Sequence, residues 1–227
     1  MPCRRWGKKL NRQYLEAIVA EARSLDPEHF SAWRGGWTKD IELALLDAVL
    51  SIQAQYETKN GKGVLPKVQG YRSHRGGRAD DLRELAAMNE AELLAIIGYQ
   101  RTGRRTKAGA AIEAAANLVD IGVQHAADFQ ADSLEQRRAY KRVTGLGPVT
   151  YSYLRMLLGH PDVKADTWVN RFTHRVTGDG TLSPGNVREL VSAAAAILPG
   201  DISPTVLDHA IWRSEAQRQS NTAGKES

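Results

Sequence analysis

Apolar residues recur at intervals of three and four along almost the whole chain, and the alternation of apolar and polar residues that marks strands is nearly absent. The segment Ile41–Ile52 is apolar nearly all round, which predicts a helix enclosed by other helices. Ser183-Pro184 and Ser203-Pro204 each place a capping serine before a proline, which is typical of a helix start. The pattern predicts an all-α chain of roughly nine or ten helices joined by short loops.

The length of 227 residues, with 42% hydrophobic and 25% charged residues, is typical of a globular protein with its own core. We expect one helical domain over residues 1–213, with a central lobe at about 41–160 and a second lobe from about 1–40 plus 161–213. The small, polar residues of 214–227 predict a flexible tail. No apolar run approaches the ~20 residues of a membrane span, and the N-terminus lacks a signal-peptide pattern. We therefore expect a cytoplasmic monomer with no membrane partner.

The chain has one cysteine, Cys3. This excludes an internal disulfide, a zinc ribbon and a cysteine-held iron–sulfur cluster. Lysine and arginine number 31 against 26 aspartates and glutamates, a net charge of +5. The excess favours an anionic partner, although net charge alone does not identify one.

Two segments concentrate the positive charge. Glu57–Arg78 contains five glycines and six lysines and arginines, which predicts a mobile basic loop with at most one short helical turn. It either contacts nucleic acid or is a solvated linker. The second segment, Arg101–Lys107, includes Arg104 and Arg105 and precedes a predicted helix start, where backbone N–H groups favour a phosphate. An ordinary surface loop is the alternative.

The most specific motif joins two predicted helices, Leu134–Val143 and Pro148–Leu158, through Gly145-Leu146-Gly147. Glycine permits backbone angles that a side chain forbids. Successive N–H groups would then face outward at the start of the second helix, a favourable position for a phosphate. The alternative is an ordinary connector with a glycine cap.

About twenty residues later comes Asp166-Thr167, and the combination resembles the helix-hairpin-helix (HhH-GPD) DNA glycosylase superfamily, best known from endonuclease III. The residues Gly145-Leu146-Gly147 and Thr150 match the family's L-P-G-V-G-x-x-T-A hairpin. Upstream, residues 50–55 (LSIQAQ) are similar to the family's L-S-x-Q-A segment. Residues 96–99 (IIGY), followed by Lys107-Ala108, look like I-G-L-Y-x-x-K-A. The resemblance covers about residues 40–176.

The resemblance implies a two-lobed helical fold and a monofunctional DNA N-glycosylase acting in base excision repair on double-stranded DNA. The target base would be flipped out of the helix and released by hydrolysis. Asp166 would be the catalytic carboxylate, stabilising the positive charge that develops on the sugar and orienting a water. A plain N-cap is its alternative role, and the two roles are compatible.

The same motifs supply the remaining candidates. Gln53 would fill the gap left by the extruded base, the alternative being a polar residue at a helix end. The DNA-binding candidates are Gln53, Lys141, Arg142, Gly145, Leu146, Gly147, Val149, Thr150, Arg104 and Arg105. The aromatic candidates for a base pocket are Tyr99, Tyr151 and Trp168, although such residues more often serve in core or half-buried packing. The resemblance also implies a monovalent cation at the hairpin; we expect no other cofactor or metal.

Three positions depart from the family pattern. Val149 stands where strand-cutting members carry a lysine, so no amine is placed there for a Schiff base, and we expect hydrolysis alone. Ala48 occupies the position of the adenine-mismatch branch's catalytic glutamate, and Trp168 that of the histidine in the family's V-D-T-H segment. The departures leave open a non-catalytic helix-hairpin-helix DNA-binding module. Unrelated small-molecule chemistry is the third alternative.

Overall fold

The computed structural model describes residues 11–30, 36–56 and 62–223, and within them helices make up the regular secondary structure apart from one two-stranded hairpin; two short 3-10 helices lie at Pro27–Phe30 and Ala126–Asp128. The helices are α1 (Arg12–Arg23), α2 (Ile41–Leu50), α3 (Val64–His74), α4 (Leu82–Ala87), α5 (Glu90–Ile97), α6 (Lys107–Val119), α7 (Leu134–Lys141), α8 (Pro148–Leu157), α9 (Thr167–Thr177), α10 (Pro184–Ala195) and α11 (Pro204–Ala223). The strands are β1 (Arg101–Thr102) and β2 (Arg105–Thr106), paired antiparallel. The predicted all-α class is confirmed.

The chain divides into two compact units. The described residues of unit 1 are 11–30 and 161–223, and those of unit 2 are 36–56 and 62–160. Unit 1 therefore contains α1 and α9 to α11, whereas unit 2 contains α2 to α8 and the strands.

Helix α2 is the centre of unit 2, and every one of its residues is buried, as its apolar sequence predicted. It packs against α3, α6 and α8. Its two carboxylates are both paired: Glu42 accepts from Arg75 Nε at 3.0 Å. Asp47 accepts from the Trp37 indole N–H and the Tyr56 hydroxyl, each at 2.9 Å. Since an unpaired buried charge is strongly destabilising, these contacts allow a charged helix to lie inside the unit.

Unit 1 closes around apolar faces of α1, α9, α10 and α11. The starts of α10 and α11 are capped as predicted: Ser183 Oγ accepts from Asn186 N at 3.3 Å, and Ser203 Oγ accepts from Val206 N at 3.2 Å. Phe172 of α9 is fully buried in this core. Asp166, the residue just before α9, is therefore attached to a helix that is packed firmly into the core.

The prediction of an irregular basic loop over Glu57–Arg78 is wrong for most of its length. The eleven-residue helix α3 occupies its middle, with Val64, Val68 and Tyr71 buried. Those three positions follow helical spacing, but Pro66, Lys67 and Gly70 stand between them and conceal the stripe. The first part of the segment, residues 57–61, lies outside the described residues.

The tail predicted from residue 214 is helical over its described part, because α11 continues to Ala223. Ser214 and Glu215 are buried. Glu215 Oε1 accepts from Arg175 Nη2 at 2.8 Å, a pairing across 40 residues that local composition does not indicate. No helix among the described residues is long and apolar enough to cross a bilayer.

Candidate functional site

The corner between α7 and α8 is built on two glycines with different roles. Gly145 has φ = 96°, a conformation that favours glycine, and a Cβ there would lie 3.0 Å from Thr102 Cγ2. Gly147 has an extended backbone, and a Cβ there would meet nothing within 4 Å. Leu146 is buried between them. The fold therefore requires Gly145, whereas Gly147 leaves open space at the surface.

Several backbone amides of the corner are already engaged. Leu146 N donates to the carbonyl three residues earlier at 3.0 Å, and Gly147 N donates to the Thr150 hydroxyl at 3.0 Å. Thr150 Oγ1 in turn donates to Gly147 O at 2.9 Å. Among the described residues, the amides of Gly145, Val149 and Thr150 have no hydrogen-bond partner. Of the predicted row of outward N–H groups, these three remain available to an external acceptor.

The β1–β2 hairpin lies against this corner, since the Thr102 side chain is the neighbour that a Cβ on Gly145 would meet. Arg104 is exposed at the turn of the hairpin. Arg105 is bound instead to Glu113, with Nη1 and Oε2 2.5 Å apart. Of the two predicted arginines, Arg104 is thus the one whose guanidinium has no ion pair within the described residues.

The end of α7 adds a cluster of exposed cations to the corner. They have no ion-pair partner in the part of the chain that the structure describes, and they are Arg137, Arg138, Lys141 and Arg142. Together with free amides, such side chains provide the positive charge that a phosphate backbone attracts.

Gln53 lies in the turn after α2. Its side chain is exposed and its φ is 47°, which is uncommon for a residue other than glycine. A backbone in this region costs of order 1–3 kcal/mol and persists where its surroundings impose it. The predicted wedge is therefore presented on a strained turn.

Lys107 donates to two carbonyls of the segment that leads into this turn. It is 3% exposed, and its Nζ donates to Leu50 O at 2.8 Å, Ile52 O at 2.6 Å and Gln100 Oε1 at 3.1 Å. Burial, with a smaller effect from Lys67, lowers the pKa of Lys107 to about 8. In the sequence Lys107 was only part of a family pattern. A lysine in the first turn of a helix interacts unfavourably with the helix dipole. Its presence there was the sequence signal that Lys107 makes specific contacts elsewhere.

An open cleft of about 470 Å³ lies beside the same turn. Its lining includes Gln55, Lys62, Lys67, Ile96 and Gln100. Two of these side chains come from the mispredicted basic segment, so the positive charge of that segment is partly concentrated next to the Gln53 turn.

In unit 1, Asp166 caps the N-terminus of α9. Its Oδ1 accepts from Trp168 N at 2.9 Å and from Val169 N at 3.4 Å. Its Oδ2 lies 4.0 Å from Lys164 Nζ, and the side chain is 25% exposed. One carboxylate oxygen is thus fixed by the backbone, the other lies near a cation, and the side chain as a whole is partly accessible.

The segment before α9 is braced by two further carboxylates that the sequence did not single out. Asp208 is buried, and its Oδ1 accepts from Lys164 N at 2.8 Å. Burial, followed by the charge of Asp166, raises the pKa of Asp208 well above its usual range. Asp162 is also buried and pairs with Arg188, with Nε and Oδ1 2.5 Å apart. These contacts hold the backbone on which Asp166 lies.

The three aromatic candidates differ in exposure. Tyr151 is 3% exposed and its ring lies 5.5 Å from that of Tyr140, which is a packing role. Tyr99 is 65% exposed. Trp168 is half-buried beneath the Arg171 guanidinium, 5.3 Å from the ring centre. Trp168 and Asp166 belong to unit 1, whereas all the other site candidates belong to unit 2.

A family model described as a domain of unknown function (DUF8548) matches residues 14–216. No curated protein matches the sequence significantly. A solved structure of a trapped endonuclease III–DNA covalent intermediate, the estranged-adenine complex, is similar with a TM-score of 0.55, over 90% of this chain and 85% of that chain, at 17% identity. At this identity the likeness shows the fold alone, and it confirms the endonuclease III-like all-α fold that the sequence predicted.

Proposed function

Given that this chain belongs to the DUF8548 family, we propose that it is a monofunctional DNA N-glycosylase that hydrolyses a damaged or modified base from duplex DNA. The main support for the proposal is the Asp166 carboxylate, which has one oxygen held by two backbone N–H groups and the other 4.0 Å from Lys164 Nζ, on a side chain that is 25% exposed. The endonuclease III-like fold supports it, because the neighbouring structure contains DNA.

The proposed reaction requires little of the protein beyond a positioned negative charge. As the bond between C1′ and the base nitrogen breaks, its electron pair leaves with the base and positive charge develops on the sugar. Asp166 stabilises that charge. A water oriented by its outer oxygen attacks C1′, gives one proton to the carboxylate and leaves a hydroxyl on the sugar. The departing base takes up one proton from solvent, and Asp166 returns the proton it received to solvent, so the carboxylate is restored.

Several residues of unit 2 suit the DNA binding that we propose. The free amides of Gly145 and Val149, with Lys141 and Arg142 nearby in the sequence, suit a phosphate of the backbone. Gln53 on its strained turn suits the space vacated by an extruded base. We also propose that the protein is a monomer and that a monovalent cation binds at the corner. The chain has a single cysteine, which cannot hold a four-cysteine iron–sulfur cluster.

Hydrolysis without strand cleavage follows from Val149, which has no amine for a Schiff base. Lys164 is the residue to test against this mechanism, because its Nζ lies 4.0 Å from Asp166 Oδ2. If Lys164 acted as a nucleophile, borohydride would trap a covalent complex with DNA. We expect no trapped complex with the wild-type protein.

The decisive experiment incubates the protein with a panel of duplexes, each containing one damaged or modified base. Release of a base, with strand breakage only after alkali, is the expected result. Duplex binding without release from any substrate would support the non-catalytic module instead. Absence of salt-dependent duplex binding would contradict both functions.

A further inference from the structure

We infer that Lys107 is a positioning residue that holds the Gln53 turn in the conformation needed to enter the DNA duplex. The inference rests on the proposed function for its use of Gln53, but the clamp itself is a property of the free protein. Lys107 is distant from Gln53 in sequence and contacts the turn only through main-chain carbonyls.

The first argument is the complete use of the ammonium group. An ammonium has three N–H donors, and all three of those on Lys107 have acceptors: Leu50 O, Ile52 O and Gln100 Oε1. The group is 3% exposed. Burying a cation is costly unless each donor is satisfied, so this arrangement persists because the turn supplies carbonyls in matching positions.

The second argument is where the two carbonyls lie. Leu50 is the last residue of α2, and Ile52 immediately precedes Gln53. A helix C-terminus leaves carbonyls without partners, and a cation there interacts favourably with the helix dipole. By binding one carbonyl at the helix end and another two residues later, Lys107 fixes the direction in which the chain leaves the helix.

The third argument is the strain at Gln53. With φ = 47°, its backbone would relax readily to a conformation that other residues prefer, unless neighbouring atoms prevented it. Lys107 holds the peptide group directly before this residue. An exposed side chain on a restrained backbone is preorganised for insertion, which reduces the entropy lost on binding.

The test uses a nitroxide spin label on Gln53→Cys in a Cys3→Ser background, which leaves one labelled cysteine. Lys107→Met removes the donors and retains the length of the side chain. The expected result is loss of the immobile component of the label's spectrum. Lys67→Met is the matched control, because it removes a cation from the cleft beside the turn without removing a donor to the turn, and it should leave the label immobile.

Gln100→Ala provides a second route, because Lys107→Met could unfold the unit. It removes one acceptor of the ammonium and keeps both turn contacts, so a partial gain in mobility is expected while far-UV circular dichroism is unchanged. If the label remains immobile in every folded variant of Lys107 and Gln100, the clamp inference is wrong.

A second readout connects the clamp to DNA. Extrusion of 2-aminopurine from a duplex, followed by its fluorescence at saturating protein, should fall by about tenfold in Lys107→Met, the scale of one charge-assisted hydrogen bond. Duplex affinity should be retained. Wild-type protein that binds and extrudes nothing contradicts the proposed function but leaves the spin-label test valid. Normal extrusion by a folded Lys107→Met protein overturns the inference.

Discussion

Two helix ends in this molecule each bind a charged side chain, and the two side chains differ in how many of their hydrogen-bonding atoms remain unused. At the end of α2, Lys107 is buried and uses all three donors on protein acceptors. At the start of α9, Asp166 is a quarter exposed and binds the backbone through one oxygen only. The first arrangement has no capacity left for a ligand. The second retains one oxygen for chemistry, which is why we assign architecture to Lys107 and catalysis to Asp166.

The largest effect that sharpens this comparison is expected from Asp166→Asn. Asparagine also caps helices well, so thermal stability should be retained, whereas the rate of base release should fall by about 10²–10⁴-fold because the charge is removed. Single-turnover release measures the rate. Asp166→Ser, which also caps, is the matched second variant. Equal rates of base release in the wild type and both variants would show that Asp166 has only a structural role.

The two corner glycines give the next effect. Gly145→Ala should destabilise unit 2 by about 1–2 kcal/mol from its backbone conformation, with a further cost from the approach of the new Cβ to Thr102. Gly147→Ala should leave the denaturation midpoint unchanged, since a Cβ there meets nothing within 4 Å, but should weaken duplex binding. Chemical denaturation and fluorescence anisotropy separate the two. A Gly147→Ala protein with wild-type duplex affinity would exclude the corner from the DNA interface.

A smaller effect is expected from the exposed cations of α7. Changing Lys141 and Arg142 to glutamine should reduce the slope of log affinity against log salt by about 0.9 for each phosphate that the protein no longer neutralises. Arg83→Gln is the control, because that arginine pairs with Asp81 at 2.6 Å. Identical slopes for the control and the double variant would show that α7 does not bind the phosphate backbone.

The smallest effect concerns Asp208 and appears as a pH dependence of stability. Burial raises the pKa of Asp208 in the folded protein above its unfolded value, so the folded state holds a proton that the unfolded state releases. The contribution of Asp208 to stability is therefore present at low pH and disappears as pH rises through the folded pKa. Asp208→Asn keeps an acceptor for Lys164 N and removes this pH dependence.

Melting temperatures of the wild-type and Asp208→Asn proteins should thus agree near pH 4, and the variant should become the more stable of the two as the pH rises to 8. A constant difference at every pH would mean that Asp208 titrates normally in the folded protein.

The sequence predicted the features that depend on neighbouring residues in the chain, and it missed those that depend on weak patterns or on distant residues. The burial of α2 follows from its own apolar residues, and Asp166 as an N-cap follows from its position before α9. Helix α3 was missed because its stripe of three apolar residues is short and lies in a segment rich in glycine and cations. Periodicity is a weak signal when few residues carry it.

The roles of Lys107 and Asp208 depend on long-range contacts. Lys107 is separated by 57 residues from Leu50, and Asp208 by 44 from Lys164. No local pattern specifies which carbonyl or amide a side chain will meet at such a distance. Lys107 supports the proposed wedge and Asp208 the segment of the proposed catalytic acid, so the supporting residues of the site were the least predictable.

The most direct test of Asp166 as the catalytic carboxylate is to measure whether the protein binds DNA more tightly when the sugar position carries a positive charge. Duplex affinity would be measured for two abasic analogues, a cationic pyrrolidine and a neutral tetrahydrofuran, because transition-state analogues bind more tightly than ground-state ones. The wild-type protein should prefer the cationic analogue by at least about tenfold, and Asp166→Asn should lose that preference. Equal affinity of the wild-type protein for both analogues would contradict the assignment.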